Sequence, residues 1–224
     1  MTASPAPTSR PRLKTAPAQP IKLYRTPISG HSHRVELMLS LLDLPFECVD
    51  IDLAAKGHKT PDFLAMNAFG QVPVIQDGDV TLADSNAILV YLTGRYAVDA
   101  NTWLPSEPLA AAGVQRWLSV AAGQLAFGPA AARVVQLFKR PDNPEAVARS
   151  HALFAVMEQQ LAQSAFLAGS TPTLADIANY SYVARAPEGN VSLVPYPALR
   201  AWLARVEALP GFVPMVKTPV GLAA

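Results

Sequence analysis

Two dipeptides, twelve positions apart, carry the clearest chemical information in the sequence. Val72-Pro73 lies in a β-type run, where proline cannot donate a hydrogen bond, so we expect a cis bond that turns backbone N–H and C=O groups toward a bound peptide. Asp84-Ser85 separates a predicted strand from a predicted helix, which places an acceptor for an ammonium beside donors for a carboxylate. Alone, each pair is usually an ordinary proline or a helix cap. Together they predict a site for a small peptide with a free α-amino-acid end.

The composition excludes several classes of protein. The chain has 224 residues, half of them apolar, so it can bury the core of one large domain or two small ones. Its 18 lysines and arginines nearly balance its 17 aspartates and glutamates, which leaves no basic surface for nucleic acid. Cys48 is the only cysteine, so no internal disulfide, CxxC pair or cysteine-based zinc cluster can form. We expect Cys48 to be buried and the chain to occupy a reducing compartment.

Residues 1–20 differ from the rest of the chain. They contain five prolines and three basic residues but no acidic residue. Such a segment buries too little apolar surface to offset the entropy cost of ordering, so we predict a disordered arm. The arm lacks the apolar region of a secretory signal. The longest weakly polar stretch, 118–137, is interrupted by Gly128-Pro129 and Arg133, so no membrane span is expected.

The pattern of residues 21–97 predicts the order β-α-β-α-β-β-α. The strands are expected at 21–26, 46–53, 72–76 and 80–83, and the helices near 35–43, at 61–66 and at 85–96. A helical crossover joins the first two strands, which should therefore be parallel. Asp77-Gly78-Asp79 should connect the last two strands as an antiparallel hairpin. This is the order of a thioredoxin-like α/β domain.

Beyond a linker at 98–106, every predicted element is a helix. The candidates are 107–126, 129–139, 144–163, 174–185 and 197–209. Thr173-Leu-Ala-Asp176 has the spacing of a capping box, with Asp in place of the usual Glu, and we interpret it as structural. The predicted fold class is an α/β thioredoxin-like domain (21–97) followed by an all-α helical bundle (107–213) and a C-terminal tail (214–224).

Over about residues 21–213, the order and spacing of several strings resemble the glutathione transferase family. The strings are Leu23-Tyr24 with Pro27-Ile-Ser-Gly30, Phe69-Gly-Gln-Val-Pro-Val74, Asp84-Ser-Asn-Ala-Ile88, Thr171-Pro-Thr-Leu-Ala-Asp-Ile177, and Tyr196-Pro197 through Trp202 to Pro210-Gly-Phe212. Ser29-Gly-His31 resembles the Ser-Gly-Asn of a bacterial, serine-type subgroup, with His in place of Asn; elsewhere the chain has theta-like features. The resemblance implies glutathione as co-substrate, no metal, and a homodimer.

The resemblance makes Ser29 the candidate catalytic residue. In serine-type members, a serine here donates a hydrogen bond to the glutathione sulfur. Lowering a thiol pKa of about 8.5 by about two units requires roughly 2.7 kcal/mol. A hydrogen bond to a charged group contributes about 1.5–3 kcal/mol, so one hydroxyl at a helix N-terminus is nearly sufficient. Ser32 is the alternative donor, and a helix cap is the purely structural interpretation of Ser29.

The resemblance also assigns seven residues to glutathione binding: His58, Lys59, Gln71, Val72, Pro73, Asp84 and Ser85. Val72 would present its backbone to the cysteinyl part, next to Pro73. Ser85 would bind the γ-glutamyl carboxylate at a helix N-terminus, and Asp84 the ammonium. His58 and Lys59 match a basic pair that theta-like members place near the glycine carboxylate. Gln71 would add a side-chain contact.

The electrophile pocket is expected in the helical domain. Trp117, Phe127, Arg133 and Tyr180 are candidates from their helix faces, with core or surface roles as alternatives. The leading hypothesis is a cytoplasmic glutathione transferase acting in detoxification. It would add the glutathione thiolate to a small, largely apolar electrophile. The alternatives are a glutathione-dependent peroxide or disulfide reductase and a non-catalytic binding or stress protein with the same fold.

Overall fold

The computed structural model of the chain describes residues 14–223. Most of the predicted arm, residues 1–13, lies outside the described residues. The chain divides into two compact units. The first contains the described residues up to Ala100 together with Glu207–Pro214, and the second contains Asn101–Val206 and the residues from Met215 onward. Each unit is described separately below.

The first unit is built on a four-stranded mixed sheet with the order β2-β1-β3-β4. The strands are β1 (Ile21–Arg25), β2 (Phe46–Asp50), β3 (Val74–Asp77) and β4 (Val80–Ala83). β1 pairs with β2 in parallel, which confirms the predicted crossover, and with β3 in antiparallel fashion. β3 and β4 form the predicted antiparallel hairpin. The sheet therefore has the predicted thioredoxin-like order.

Three helices of the first unit pack with this sheet. They are α1 (Gly30–Leu41), α2 (Pro61–Met66) and α3 (Ser85–Tyr96), and a short 3₁₀ turn covers Gly57–Lys59. The core contains apolar side chains of β1, α1, β3 and α3 that are fully buried, among them Leu23, Val35, Met38, Val74, Ile88 and Leu92. Burying each such side chain contributes about 1.5–3 kcal/mol to folding, which holds the strands and helices together. Because the loops are anchored at both ends to these elements, the core also sets their positions.

Several expectations for the first unit need correction. The first helix begins at Gly30 rather than near residue 35 and ends at Leu41 rather than at residue 43. The second strand ends at Asp50 rather than at residue 53, and the third begins at Val74, after a Val72–Pro73 bond that is cis. Cys48 is exposed rather than buried. The reason is its position on β2, which forms one edge of the sheet and has exposed or partly exposed side chains along its whole length.

The second unit is helical, as predicted. Its helices are α5 (Pro108–Ala122), α6 (Ala131–Leu137), α7 (Pro144–Leu161), α8 (Leu174–Ala184) and α9 (Pro197–Glu207), whose final residue belongs to the first unit. The short helix α4 (Ala100–Trp103) lies where a linker was predicted. The Thr173–Asp176 capping box at the start of α8 is confirmed. The buried Asp176 carboxylate also accepts hydrogen bonds from Leu167 N and Trp202 Nε1.

The α5–α6 region contains a local irregularity. A π-helical turn at Ala126–Ala130 includes Pro129, whose missing N–H prevents a regular α-helical hydrogen bond. The whole stretch Pro108–Leu137 is long and apolar enough to pass a length and hydropathy test for a membrane span. Half of its most apolar window is buried inside the protein, and core helices of this kind pass the same test.

The described ends of the chain make specific contacts. Lys14 N donates to Tyr96 O at 2.8 Å, within the first unit. Residues 207–214 return to α1, where Ser40 Oγ donates to Gly211 O at 2.6 Å and His33 Nε2 lies 2.9 Å from Val213 O. In the second unit, Met215 is buried and Thr218 N donates to Glu188 Oε1 at 3.2 Å. The C-terminal tail therefore has partners in the second unit.

Candidate functional site

A cavity of about 730 Å³ lies in the first unit, beside the ends of the sheet strands. It is lined by all seven residues that the family resemblance assigned to glutathione binding: His58, Lys59, Gln71, Val72, Pro73, Asp84 and Ser85. These residues come from three separate loops, after β2, before β3 and after β4. The fold therefore brings into one space residues that are up to 27 positions apart in the chain.

Ser85 is the first residue of α3 and is buried at one end of this cavity. The preceding Asp84 has a positive φ of 70°, which is uncommon for a residue other than glycine, and its Oδ1 accepts from Ala87 N at 2.9 Å. This bond caps α3 and uses one carboxylate oxygen. The N-terminus of α3 thus presents a hydroxyl and backbone N–H groups, with a carboxylate beside them.

Two residues of α1 surround the Ser85 hydroxyl. Arg34 Nη1 donates to Ser85 Oγ at 3.2 Å and to Asn86 Oδ1 at 2.9 Å. His31 Nδ1 lies 3.4 Å from the same Oγ, and His31 also lines the cavity. Burial and the Arg34 guanidinium lower the pKa of His31 to about 3, so its imidazole is neutral at physiological pH. These contacts were not predicted, although residues three apart on a helix share a face.

Ser29 is the N-cap of α1. Its Oγ accepts from Ser32 N at 3.2 Å, and it does not line the cavity, whereas His31 two positions later does. The cap uses the Ser29 oxygen as an acceptor and leaves the hydroxyl hydrogen available as a donor. Ser32 is buried, and its Oγ accepts from Thr26 N at 3.3 Å. Ser29 is therefore the less enclosed of the two candidate serines.

Lys59 connects two sides of the cavity. Its Nζ donates to the carbonyl groups of Phe69 and Gly70, each at 3.1 Å. Gly70 has a φ of 57°, and a Cβ there would lie 2.7 Å from His58 O and from Lys59 Nζ, so only glycine fits. An ammonium has three N–H donors, and these two bonds leave the third for a ligand. His58 Nδ1 is buried without a hydrogen-bond partner among residues 14–223.

The four candidates for the electrophile pocket are not all in one place. Trp117 and Phe127 line a mostly apolar groove of about 750 Å³ between α5 and α7 in the second unit. Tyr180 is buried in the core, with its ring centroid 6.4 Å from that of Trp202. Arg133 is buried too, and its Nε donates to Glu188 Oε2 at 2.7 Å. Neither Tyr180 nor Arg133 lines a groove with the other two.

Titratable clusters are sparse in the described part of the chain. Between residues 14 and 223, no group of three or more His, Cys, Asp and Glu side chains is placed to hold a metal ion. The cavity in the first unit is lined by hydroxyl, imidazole, carboxylate, ammonium and backbone groups. These are groups that bind a zwitterionic peptide end and an anion.

Comparisons with known proteins agree with this architecture. The models described as glutathione S-transferase N-terminal and C-terminal domains match residues 19–94 and 118–210. Glutathione S-transferase 3 of Zea mays is 39% identical over 209 residues, covering 86% of this chain and 91% of the relative. A glutathione S-transferase structure from Pseudomonas fluorescens has a TM-score of 0.83 and 34% identity, covering 89% of this chain and all of that one.

A second solved structure is also similar to this chain. It is a glutathione transferase homolog from Drosophila mojavensis with bound glutathione. Its TM-score is 0.78 at 27% identity, and the match covers 85% of this chain and 89% of that one. Both domains, the whole-chain relative and the structural neighbours lead to the same conclusion: this chain belongs to the glutathione S-transferase family.

Proposed function

We propose that this protein is a glutathione transferase that binds glutathione in the first-unit cavity and adds its thiolate to a small, largely apolar electrophile. The observation that carries the proposal is the convergence of Ser85, Asp84 and Val72 on one cavity of about 730 Å³. A γ-glutamyl end needs donors for its carboxylate and an acceptor for its ammonium. The N-terminus of α3 offers both within two adjacent residues.

The remaining cavity residues suit the rest of glutathione. The backbone of Val72, before Pro73, would hold the cysteinyl part. At the other end, the Lys59 ammonium and His58 would meet the glycine carboxylate, since Lys59 keeps one donor and His58 Nδ1 has no partner among the described residues. Gln71 is exposed at the cavity edge, and its backbone is held because Gln71 O accepts from Asn67 Nδ2 at 2.8 Å.

Ser29 would stabilise the thiolate. Its oxygen already accepts from Ser32 N, and a hydroxyl that accepts one hydrogen bond becomes a better donor for another. The α1 N-terminus adds a favourable partial positive charge. The proton leaves the thiol to water, the sulfur electron pair forms the new bond to the electrophilic carbon, and the leaving group or the adduct accepts the displaced electron pair. No general base is required.

The test replaces Ser29 and follows the thiolate directly. In Ser29→Ala, we expect the pKa of bound glutathione, measured by ultraviolet absorbance, to rise by about 1–2 units, because one hydrogen bond to a charged group is lost. The kcat with an aryl halide should fall about 10- to 100-fold, while glutathione affinity by calorimetry stays within a few fold. Ser29→Thr keeps both hydroxyl and cap and is the matched control. Unchanged turnover in Ser29→Ala would exclude Ser29 as the thiolate donor.

We also infer a homodimer in the cytoplasm, with a role in detoxification. Phe69 beside the cavity is 81% exposed. A second copy that covers this ring would remove its apolar surface from water, which favours association. A chain with a single cysteine has no internal disulfide to maintain, which suits a reducing compartment. The electrophile groove would include Trp117 and Phe127.

A further inference from the structure

The neutral imidazole next to Ser85 has a function of its own in this cavity. We propose that His31 is a positioning residue that donates from Nδ1 to Ser85 Oγ and thereby directs the Ser85 hydroxyl hydrogen to the γ-glutamyl carboxylate of glutathione. The proposal rests on the proposed function, because it needs glutathione in the first-unit cavity. It adds a residue whose side chain lies 3.4 Å from Ser85 Oγ and lines the same cavity.

Arg34 occupies one of the two lone pairs of Ser85 Oγ. The arginine is buried, and its Nη1 lies 3.2 Å from Ser85 Oγ and 2.9 Å from Asn86 Oδ1. A guanidinium only donates and is never deprotonated in proteins, so Ser85 Oγ must be the acceptor in this bond. The hydroxyl is left with one further lone pair and one hydrogen. Which group takes that hydrogen depends on His31.

His31 Nδ1 can form a hydrogen bond with Ser85 Oγ either as an acceptor or as a donor. If Nε2 carries the imidazole proton, Nδ1 is an acceptor and takes the Ser85 hydrogen. If Nδ1 carries the proton, it donates to Ser85 Oγ, and the hydroxyl hydrogen then points elsewhere. A carboxylate accepts hydrogen bonds more strongly than a neutral imidazole, so glutathione in the cavity favours the second arrangement. The ligand and the Nδ1–H tautomer therefore stabilise each other.

The charge state of His31 makes this arrangement possible. Burial and the neighbouring Arg34 cation keep the imidazole neutral, with a pKa of about 3. A neutral ring has a single N–H and changes between tautomers without a change in net charge. Two donors behind the Ser85 oxygen also polarise its O–H bond toward the ligand. An asparagine at position 31 has an amide donor for the same oxygen, whereas a leucine has none.

The first experiment separates binding from chemistry. In the full-length protein, His31→Leu should raise the KM for glutathione and the calorimetric Kd about 10-fold, the effect of one hydrogen bond, with kcat for an aryl halide within about twofold. His31→Asn should restore affinity to within about threefold of the parent. The matched control is His33→Asn, on the same helix, because His33 Nε2 contacts Val213 O rather than the cavity. Thermal melting of each variant monitors folding.

A double-mutant cycle tests whether His31 acts through Ser85. His31→Leu should have almost no further effect on Kd in a Ser85→Ala background, since the hydroxyl that it positions is gone. A full effect in that background would overturn the proposal, as would a His31→Leu variant that binds glutathione like the parent. If the parent itself shows no heat of binding at millimolar glutathione, the proposed function fails instead. The two failures are therefore distinguishable.

The tautomer itself provides a spectroscopic readout that is independent of the measured affinities. The chain has four histidines, and nitrogen-15 shifts distinguish an imidazole protonated at Nδ1 from one protonated at Nε2. The His31→Asn spectrum, or that of the next most stable variant, identifies the His31 signals. Saturation with glutathione should move His31 to the Nδ1–H form. A His31 ring that stays protonated at Nε2 in the complex would contradict the proposal.

Discussion

At the scale of single residues, three side chains of the candidate site each make a structural hydrogen bond and keep another donor or acceptor for a ligand. Asp84 caps α3 through one oxygen, and Lys59 holds two carbonyl groups with two of its three donors. Ser29 accepts the cap bond of α1 while keeping its hydrogen. Such bonds fix the rotamers of these side chains before a ligand arrives, which reduces the entropy cost of binding.

The neutral state of His31 has a consequence for stability. Its pKa is lowered from an ordinary value of 6.5 to about 3 by burial and by Arg34. The unfolded chain therefore takes up a proton as the pH falls below about 6.5, while the folded chain does so only near pH 3. We expect this residue to cost the folded state about 2 kcal/mol between pH 7 and pH 5. Stability is highest above pH 6.5 and is lost toward acid.

The measurement compares the parent with His31→Asn, which cannot titrate in this range. Denaturant unfolding at pH 7, 6 and 5 should show a steeper loss of unfolding free energy in the parent than in the variant. Other groups titrate in both proteins and cancel in the difference. Equal pH dependence in the two proteins would mean that His31 is not held neutral.

At the scale of elements, Asp176 links the start of α8 to two other parts of the second unit. Its carboxylate accepts from Thr173 N at 2.9 Å, Leu167 N at 2.9 Å and Trp202 Nε1 at 2.8 Å. Burial raises the pKa of Asp176, while these hydrogen bonds counteract the shift. Removing the carboxylate would leave these three buried N–H donors without an acceptor, as well as the Thr173 hydroxyl, which donates to Asp176 Oδ2 at 3.3 Å.

We therefore expect Asp176→Ala to lower the unfolding free energy by about 3 kcal/mol, at roughly 1 kcal/mol for each orphaned N–H donor. Asp176→Asn keeps one acceptor oxygen and should lose less. The check is denaturant unfolding followed by circular dichroism. Asp142→Ala, an exposed carboxylate in the same unit, is the control and should change stability by less than about 0.5 kcal/mol. A loss no larger than that of the control would show that the three bonds are replaceable.

The elements that sequence patterns predicted well are those with strong local signals. The hairpin β3–β4 follows from the Asp77-Gly78-Asp79 turn, and α2 and α3 have the predicted bounds because Pro61 and Asp84-Ser85 mark their starts. The π-helical turn at Ala126–Ala130 was not predicted, because Gly128-Pro129 indicates a break but not how the helix continues beyond it. The short helix α4 lacks any periodic pattern.

The candidate site was likewise predictable only where local sequence strings indicate it. Five of the seven assigned residues, namely Gln71, Val72, Pro73, Asp84 and Ser85, lie within strings that carry the family resemblance, so sequence reasoning could nominate them. His58 and Lys59 were assigned from a basic pair in theta-like members. The contacts of His31 and Arg34 with Ser85 join positions more than fifty residues apart, and only the fold reveals them. Arg133 was a candidate because it is a cation on a helix, but burial requires it to pair with Glu188. The face of a helix on which a residue lies does not by itself indicate which residue of another element its side chain contacts.

At the scale of the whole molecule, self-association is the property most open to test. Phe69 is 81% exposed at the edge of the cavity, and we expect a second copy to cover it. Phe69→Ser should weaken the dimer about 10- to 100-fold, because burying a phenylalanine contributes about 1.5–3 kcal/mol. Sedimentation over a concentration range measures this. Val194→Ser, another exposed apolar side chain, is the control and should leave the dimer intact. Equal sedimentation of both variants would exclude Phe69 from the interface.

The first unit is formed by two separate segments of the chain, and this affects the order in which it can fold during synthesis. Residues 207–214 supply carbonyl groups to Ser40 and His33 of α1, yet they are synthesised after residues 101–206 of the second unit. Domains usually fold in order as they leave the ribosome, N-terminal first. Here the first unit cannot acquire all of its native bonds until translation is almost finished. A nascent chain arrested near residue 100 should therefore be a poorer ligand for immobilised glutathione than the released protein.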